Sequence, residues 1–158
     1  MEKNNFYIKE AEVDESNLIT WNSELEQERK SAVFDLLNTG SFKLYKEKTG
    51  PYKIKIKMYE WKLFILVYDF FDKNELEIKI SLRSIRRIIR DYQIVCDNYI
   101  DAIKTAPLKK IEAIDVGRRS IHDEGANLLK ELLSDKVLVD LDTSRRVFTL
   151  LSIISAKI

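Results

Sequence analysis

Three adjacent arginine pairs and one histidine are the side chains of this chain best suited to building a site: Arg86 with Arg87, Arg118 with Arg119, Arg145 with Arg146, and His122. Guanidinium forks hold carboxylate or phosphate through parallel N–H donors, so each pair reads as an anion-binding element or as part of an internal polar network. His122 adds the one imidazole, a group able to exchange a proton near neutral pH. Asp115 could orient it, and Glu124 brings a second carboxyl close in sequence, which makes His122, Asp115 and Glu124 the candidate acid–base groups. No serine or cysteine has a spacing that marks it as a nucleophile. Cys96, the single cysteine, falls on the apolar arc of its segment, where packing rather than reactivity is expected. One histidine with scattered carboxylates offers too few nitrogen donors for a typical zinc site, and no glycine-rich phosphate loop is present, so neither metal nor cofactor is expected.

The elements that must position these groups follow from hydrophobic periodicity. Ser23 with Glu26 makes a capping box for a helix to about Leu37, which Asn38-Thr39-Gly40 stops. Gly50-Pro51 then turns the chain into Tyr52, Ile54, Ile56 and Met58, alternating with Lys53, Lys55 and Lys57 as in a strand with one wet face. A turn at Tyr59 and Glu60 leads to an apolar strand from Trp61 to Phe71. After Asp72-Lys73-Asn74, a third strand alternates Leu76, Ile78 and Ile80 with charged residues, completing a three-stranded antiparallel meander whose middle strand is covered on both faces.

Helix follows. Ser81 or Ser84 caps a helix ending before Pro107, with Ile85, Ile88, Ile89, Tyr92, Val95, Cys96, Tyr99 and Ile103 on its buried face. A second runs from Leu108 to Leu133. A third begins at Asp142 or Thr143 and carries Val147, Leu150, Leu151 and Ile154 as a core stripe. Val137 to Leu141 adds a short strand that pairs with an N-terminal one around Phe6 to Val13. The expected fold is α+β: an antiparallel sheet with one or two added edge strands against three to four helices, in a single domain over residues 1–158, with 1–20 either an edge strand or weakly ordered.

On these helices the arginines acquire positions. Arg83, Arg86, Arg87 and Arg90 fall opposite the apolar stripe in the first turns of their helix, where the dipole disfavours cations by some tenths of a kcal/mol each, so the arc is expected to meet an anion. The internal candidates are Asp91 for Arg87, and Glu75, Glu77 or the acidic N-terminal segment for the others. Asp115, Arg118 and His122 lie along one flank of the stripe Ile111, Ile114, Ile121, Leu128 and Leu132, whereas Glu124 points elsewhere. Gly117 and Gly125, inside the same helix, mark a close approach of a neighbour or a ligand.

Lys and Arg total 27 against 26 acidic residues, so net charge predicts no general affinity for nucleic acid or anionic membranes, and any basic surface is local. The distribution is uneven, with an acidic excess up to Lys30 and a basic excess from Arg83 to Arg119. The polar opening Met-Glu-Lys-Asn-Asn, the lone cysteine and the lack of an apolar run near 20 residues predict a cytoplasmic protein without a membrane association.

Taken in order, Arg86-Arg87-Ile88 with Asp91-Tyr92 and Cys96-Asp97, the run Glu112 to Arg119, His122 with Glu124-Gly125, and Asp142-Thr143 with Arg145-Arg146 resemble Uncharacterised Protein Family 0262, a group of small bacterial proteins. The resemblance extends from about Glu24 through Leu151 and takes in Asp35-Leu36-Leu37 and Gly50-Pro51-Tyr52. It implies one continuous domain and carries no catalytic or ligand-binding role to any residue.

The residues themselves favour a binding domain. Its arginine faces, Arg83, Arg86, Arg87, Arg90, Arg118, Arg119, Arg145 and Arg146, would contact an anionic small molecule or an acidic protein surface, with nucleic acid a less favoured partner. The alternatives are a small enzyme acting on a phosphorylated or carboxylated metabolite through His122, and a structural or interaction subunit of a larger complex.

Overall fold

The structure, a computed structural model, describes residues 6–14, 23–45, 50–68 and 75–155. The side chain of Ser23 that carries the anticipated cap, residues 69–71 of the apolar strand and the turn at 72–74 lie outside what is described.

The alternation of Tyr52, Ile54, Ile56 and Met58 produces β3 (Tyr52–Tyr59), each of those four side chains buried and each intervening lysine half-exposed. It pairs antiparallel with β4 (Lys62–Tyr68), which pairs antiparallel with β5 (Glu75–Ser81), so the meander forms as expected. Leu63, Ile65 and Val67 of β4 are buried, but Phe64 and Leu66 on the other face are covered only in part, Phe64 lying beneath the ammonium groups of Lys57 and Lys79 at 5.5 and 5.9 Å. Lysine stems rather than a second layer of helices shelter that face.

The N-terminal strand, β1 (Ile8–Val13), joins this sheet beside β3 and runs parallel to it. The four-stranded sheet is therefore mixed, in the order β1-β3-β4-β5, rather than antiparallel throughout. The reason is α1 (Ser23–Thr39): a parallel neighbour requires a crossover, and this helix returns the chain along the sheet. Gly40, hydrogen-bonded to the Leu36 carbonyl at 2.9 Å, ends the helix where the sequence places its stop. The partner expected for β1 is also different. β6 (Val137–Val139) pairs antiparallel with β2 (Phe42–Leu44), a separate two-stranded ribbon.

Helix α2 (Arg86–Thr105) follows a 3-10 turn at Arg83–Ile85, and α3 (Leu108–Leu133) and α4 (Leu141–Ile154) complete the set. Neither serine before α2 caps it by its side chain, although Ser81 Oγ accepts the Arg83 N–H at 3.4 Å. α4 is capped two residues earlier than Asp142, by Asp140, whose carboxylate accepts the Thr143 N–H at 2.8 Å.

α4 is the central helix. Val147, Phe148, Leu150, Leu151, Ile153 and Ile154 are all buried, and it contacts α1, α2, α3 and β3. Its buried hydroxyls are satisfied: Ser144 donates to the Ala126 carbonyl at 2.6 Å and Ser152 to Phe148 at 2.9 Å. Its last carbonyls are met by α2, where Gln93 donates to Ser152 O at 2.9 Å and Arg90 to Ser155 O at 3.1 Å, a favourable place for a cation at a helix C-terminus. Most of the burial of α2 and α3 lies at the ends near α4, with Ala102 the buried exception toward the other end of α2. Ile103, placed on the buried face by periodicity, is exposed, as are Leu108 and Val116, because the hairpin of the two helices extends past the core.

The two glycines of α3 differ in what faces them. A Cβ at Gly125 would fall 2.3 Å from the Phe148 ring, whereas one at Gly117 meets nothing within 4 Å. Because Phe148 is wholly buried, it has nowhere to retreat. We therefore expect Gly125→Ala to lose about 1–3 kcal/mol by overpacking, and Gly117→Ala to gain up to about 1 kcal/mol from helix propensity. Urea denaturation reads both; a Gly125→Ala protein as stable as its parent would contradict the close approach.

Candidate functional site

The approach of α4 to Gly125 sets the site one turn further back along α3. His122 meets Thr149 of α4 there, Nε2 to Oγ1 at 2.8 Å. The Thr149 hydroxyl spends its proton on the Arg145 carbonyl at 3.1 Å, so it accepts from the imidazole, which must carry its hydrogen on Nε2. Nδ1 is then a lone-pair acceptor without a hydrogen-bond donor among the described residues. The ring is wedged between Tyr92 and Phe148, at centroid separations of 5.1 and 5.4 Å. Burial lowers the imidazole pKa to about 4; Asp123 opposes that shift, while Arg146, Arg118 and Arg145 add to it. His122 is neutral at physiological pH.

Around it, α1, α3 and α4 enclose an open cleft of about 440 Å³ that brings together Arg118, Arg119, Arg145 and Arg146 with His122 and Thr149. Two of the sequence's three arginine pairs thus meet at one place, from different helices. Their carboxylate partners come with them. Asp115 takes Arg118 at 2.5 Å and Arg119 at 3.2 Å; Arg145 bridges Asp123 at 2.9 Å and Asp142 at 2.6 Å; Arg146 reaches Asp35 of α1 at 3.2 Å. Arg118 also stacks on Tyr99, 4.8 Å from the ring centroid. The hydrogen bond from Arg118 is the main cause holding the Asp115 carboxyl below its ordinary value.

Asp115 therefore serves the arginines and does not touch His122, whose orienting partner is Thr149. Glu124 is exposed and lies outside the cleft. Glu28 of α1 is the carboxyl that sequence reasoning missed: it lines the cleft, and burial raises its pKa against the pull of Arg118. Its only sequence signal was a place in an acidic helix. Thr149 was missed as well, since a threonine within an apolar stripe reads as packing.

The third pair is elsewhere. Arg83, Arg86 and Arg87 are exposed at the start of α2, and the anticipated pair of Arg87 with Asp91 is not formed among the described residues. Arg90 leaves the solvent arc for the α4 terminus, lying over the Trp61 ring at 4.9 Å, with Arg86 over the same ring at 5.1 Å. Cys96 is half-buried, and burial pushes its thiol up to about 11, which fits an inert packing residue. No group of three or more metal-ligating side chains occurs among the described residues. None of the described helices is long and apolar enough to cross a membrane.

With that geometry in place, comparison with other proteins gives one consistent family. The model of an uncharacterised protein family, UPF0262, matches residues 5–157. A UPF0262 protein of Caulobacter vibrioides is 40% identical over 148 residues, covering 93% of this chain and 91% of the relative. A UPF0262 protein of Rhodospirillum rubrum is 38% identical over 155 residues, 98% of this chain and 96% of the relative. One from Dinoroseobacter shibae is 40% identical over 153 residues, with 94% and 96% covered. No solved structure matches at a significant level. The chain belongs to the UPF0262 family.

A folded imidazole pKa near 4 against about 6.5 in the unfolded chain means that the unfolded state binds the extra proton between those values. The contribution of His122 to stability is therefore complete above pH 6.5 and is lost progressively as pH falls toward 4. Glu28, with a raised pKa, works in the opposite sense, so the slope assigned to His122 is the difference between parent and His122→Gln. We expect the urea midpoint of the parent to fall more steeply than that of the variant between pH 6.5 and 4; parallel profiles would rule out a buried neutral imidazole.

Proposed function

We propose that this chain, as a member of the UPF0262 family, is a small cytoplasmic single-domain binding protein whose cleft between α1, α3 and α4 takes a small anion carrying a hydrogen-bond donor beside its charged group. The observation that carries this reading is the unequal use of the arginine donors. Arg118 directs Nε and Nη2 at Asp115, and Arg145 directs Nε and Nη1 at Asp123 and Asp142. Arg119 and Arg146 each hold their carboxylate by one contact of 3.2 Å, and their side chains are 67% and 40% exposed. Their remaining N–H groups suit a carboxylate or phosphate. The Nδ1 lone pair of His122 completes the set by accepting an O–H or N–H from the same ligand.

Breaking a half-exposed Arg–Asp pair costs little, about 0–1 kcal/mol, so a ligand oxyanion can replace an aspartate at these arginines. Catalysis by His122 on such a metabolite is the second reading, drawn from the same unoccupied Nδ1. An imidazole with a pKa near 4 is a weak general base at neutral pH, which places binding first.

Differential scanning fluorimetry with glycerol 3-phosphate, lactate, propionate and inorganic phosphate tests the reading. We expect the hydroxylated anions to raise the melting temperature more than propionate or phosphate at equal concentration, and Arg119→Gln with Arg146→Gln to weaken binding about tenfold or more without loss of the fold. Equal stabilisation of the double variant, or no response to millimolar concentrations of any of the four, would overturn it.

A further inference from the structure

We infer that the β3–β4 turn end of the sheet, together with the adjoining start of α2, is a docking surface for single-stranded nucleic acid, independent of the cleft. The register places its parts. Lys57, Phe64 and Lys79 lie side by side across β3, β4 and β5, followed toward the turn by Tyr59, Lys62 and Ser81. This is the sheet face opposite the buried Met58, Leu63 and Ile80, and Tyr59, Lys79 and Ser81 on it are exposed among the described residues. Two residues beyond Ser81 the chain enters the 3-10 turn, bringing Arg83, Arg86 and Arg87 to the same end. The turn residues Glu60 and Trp61 adopt φ of 47° and 60°, and Trp61 accepts the Leu82 N–H at 2.7 Å while Arg86 lies over its ring, tying the hairpin to the helix start.

The cations of this surface outnumber the described carboxylates around it and stand unpaired with them. None of Lys57, Lys62, Lys79, Arg83, Arg86 or Arg87 forms a salt bridge among the described residues, in contrast to the four cleft arginines, each with an aspartate. The described carboxylates nearby are Asp14 at the end of β1, Glu60 in the turn, Glu77 two residues before Lys79 on the same face of β5, and Asp91 one helical turn beyond Arg87. Cations crowded at a helix N-terminus and on neighbouring strands repel one another and the dipole, an arrangement that a polyanion relieves. The chain's net charge is only +1, so the attraction is a property of this face and not of the whole protein.

The aromatic rings decide among polyanions. Tyr59 is 63% exposed beside Lys62, and Phe64 is half-buried beneath the ammonium groups of Lys57 and Lys79, which a base would have to displace to stack on it. Rings interleaved with lysines on an open sheet face suit unpaired bases that stack while their phosphates meet the cations. A duplex hides its bases from such rings, and an acidic peptide has no bases to stack.

Fluorescence anisotropy of a labelled 20-mer of deoxythymidine and one of uridine, at 50 mM salt, tests the assignment. We expect the parent to bind both. Lys62→Gln with Lys79→Gln and Arg87→Gln should weaken binding at least tenfold and flatten the log–log salt slope by about 2. Tyr59→Ala should lose several-fold in affinity with the salt slope unchanged, so the proposal is testable even if the triple variant fails to fold. Arg119→Gln with Arg146→Gln should bind like the parent, which separates this face from the cleft. Absence of binding, unchanged affinity in a folded triple variant or in Tyr59→Ala, or equal affinity for a duplex or for polyglutamate would overturn it.

Discussion

Phe148 can lie against the α3 backbone only because position 125 has no side chain, and the arrangement of the helices depends on that contact. Once the two helices meet there, the 3.6-residue repeat puts His122 opposite Thr149 and brings Arg118 and Arg119 across from Arg145 and Arg146. The same helix, α4, is buried along most of its length and is held at both ends: Asp140 and the Ser41 N–H bond to Thr143 at its start, and Arg90 and Gln93 of α2 at its end. The walls of the cleft come from α1, α3 and α4, with Tyr92 of α2 lining it as well.

Two populations of basic side chains result. Those on α3 and α4 face carboxylates supplied by α1, α3 and α4 themselves, and their pairs are half-exposed, so each contributes little stability while holding a guanidinium in a fixed direction. A fixed and easily exchanged guanidinium is a suitable donor for a ligand. Of the others, at the turn end of the sheet, Lys57, Lys79 and Arg86 lie over aromatic rings, and none of the six forms a salt bridge among the described residues. Stacking a cation on a ring orders it without removing its charge. The two surfaces therefore differ in what they would hold: a small oxyanion with directional contacts in one, an extended chain of phosphates on the other.

Much of this was legible in the residues. Alternation of isoleucines with lysines located β3, and the stop at Asn38-Thr39-Gly40 and the start of α3 after Pro107 followed from punctuation that glycine and proline impose. The apolar stripe of α4 was legible too, and so was the significance of Gly125. What was not legible is non-local. Phe42-Lys43-Leu44 is too short to show a period, so the partner of β6 was missed, and β1 was assigned to the wrong neighbour because strand direction depends on the crossover through α1. The partner of His122 was misread because a helical wheel compares residues of one helix: Asp115 shares its flank, but Thr149 arrives from another element. Arg90 shows the same effect, a solvent-arc residue by periodicity that the buried end of α4 recruits.

His122 is a neutral imidazole, protonated on Nε2, with Nδ1 lacking a donor among the described residues. Because the chain has one histidine, the nitrogen-15 spectrum of its imidazole is free of overlap. At pH 6 the two ring nitrogens should resonate far apart, Nε2 in the protonated range and Nδ1 in the lone-pair range, with Nδ1 shifting when a hydroxylated anion is added. Coincident resonances typical of the imidazolium, or a protonated Nδ1, would contradict it.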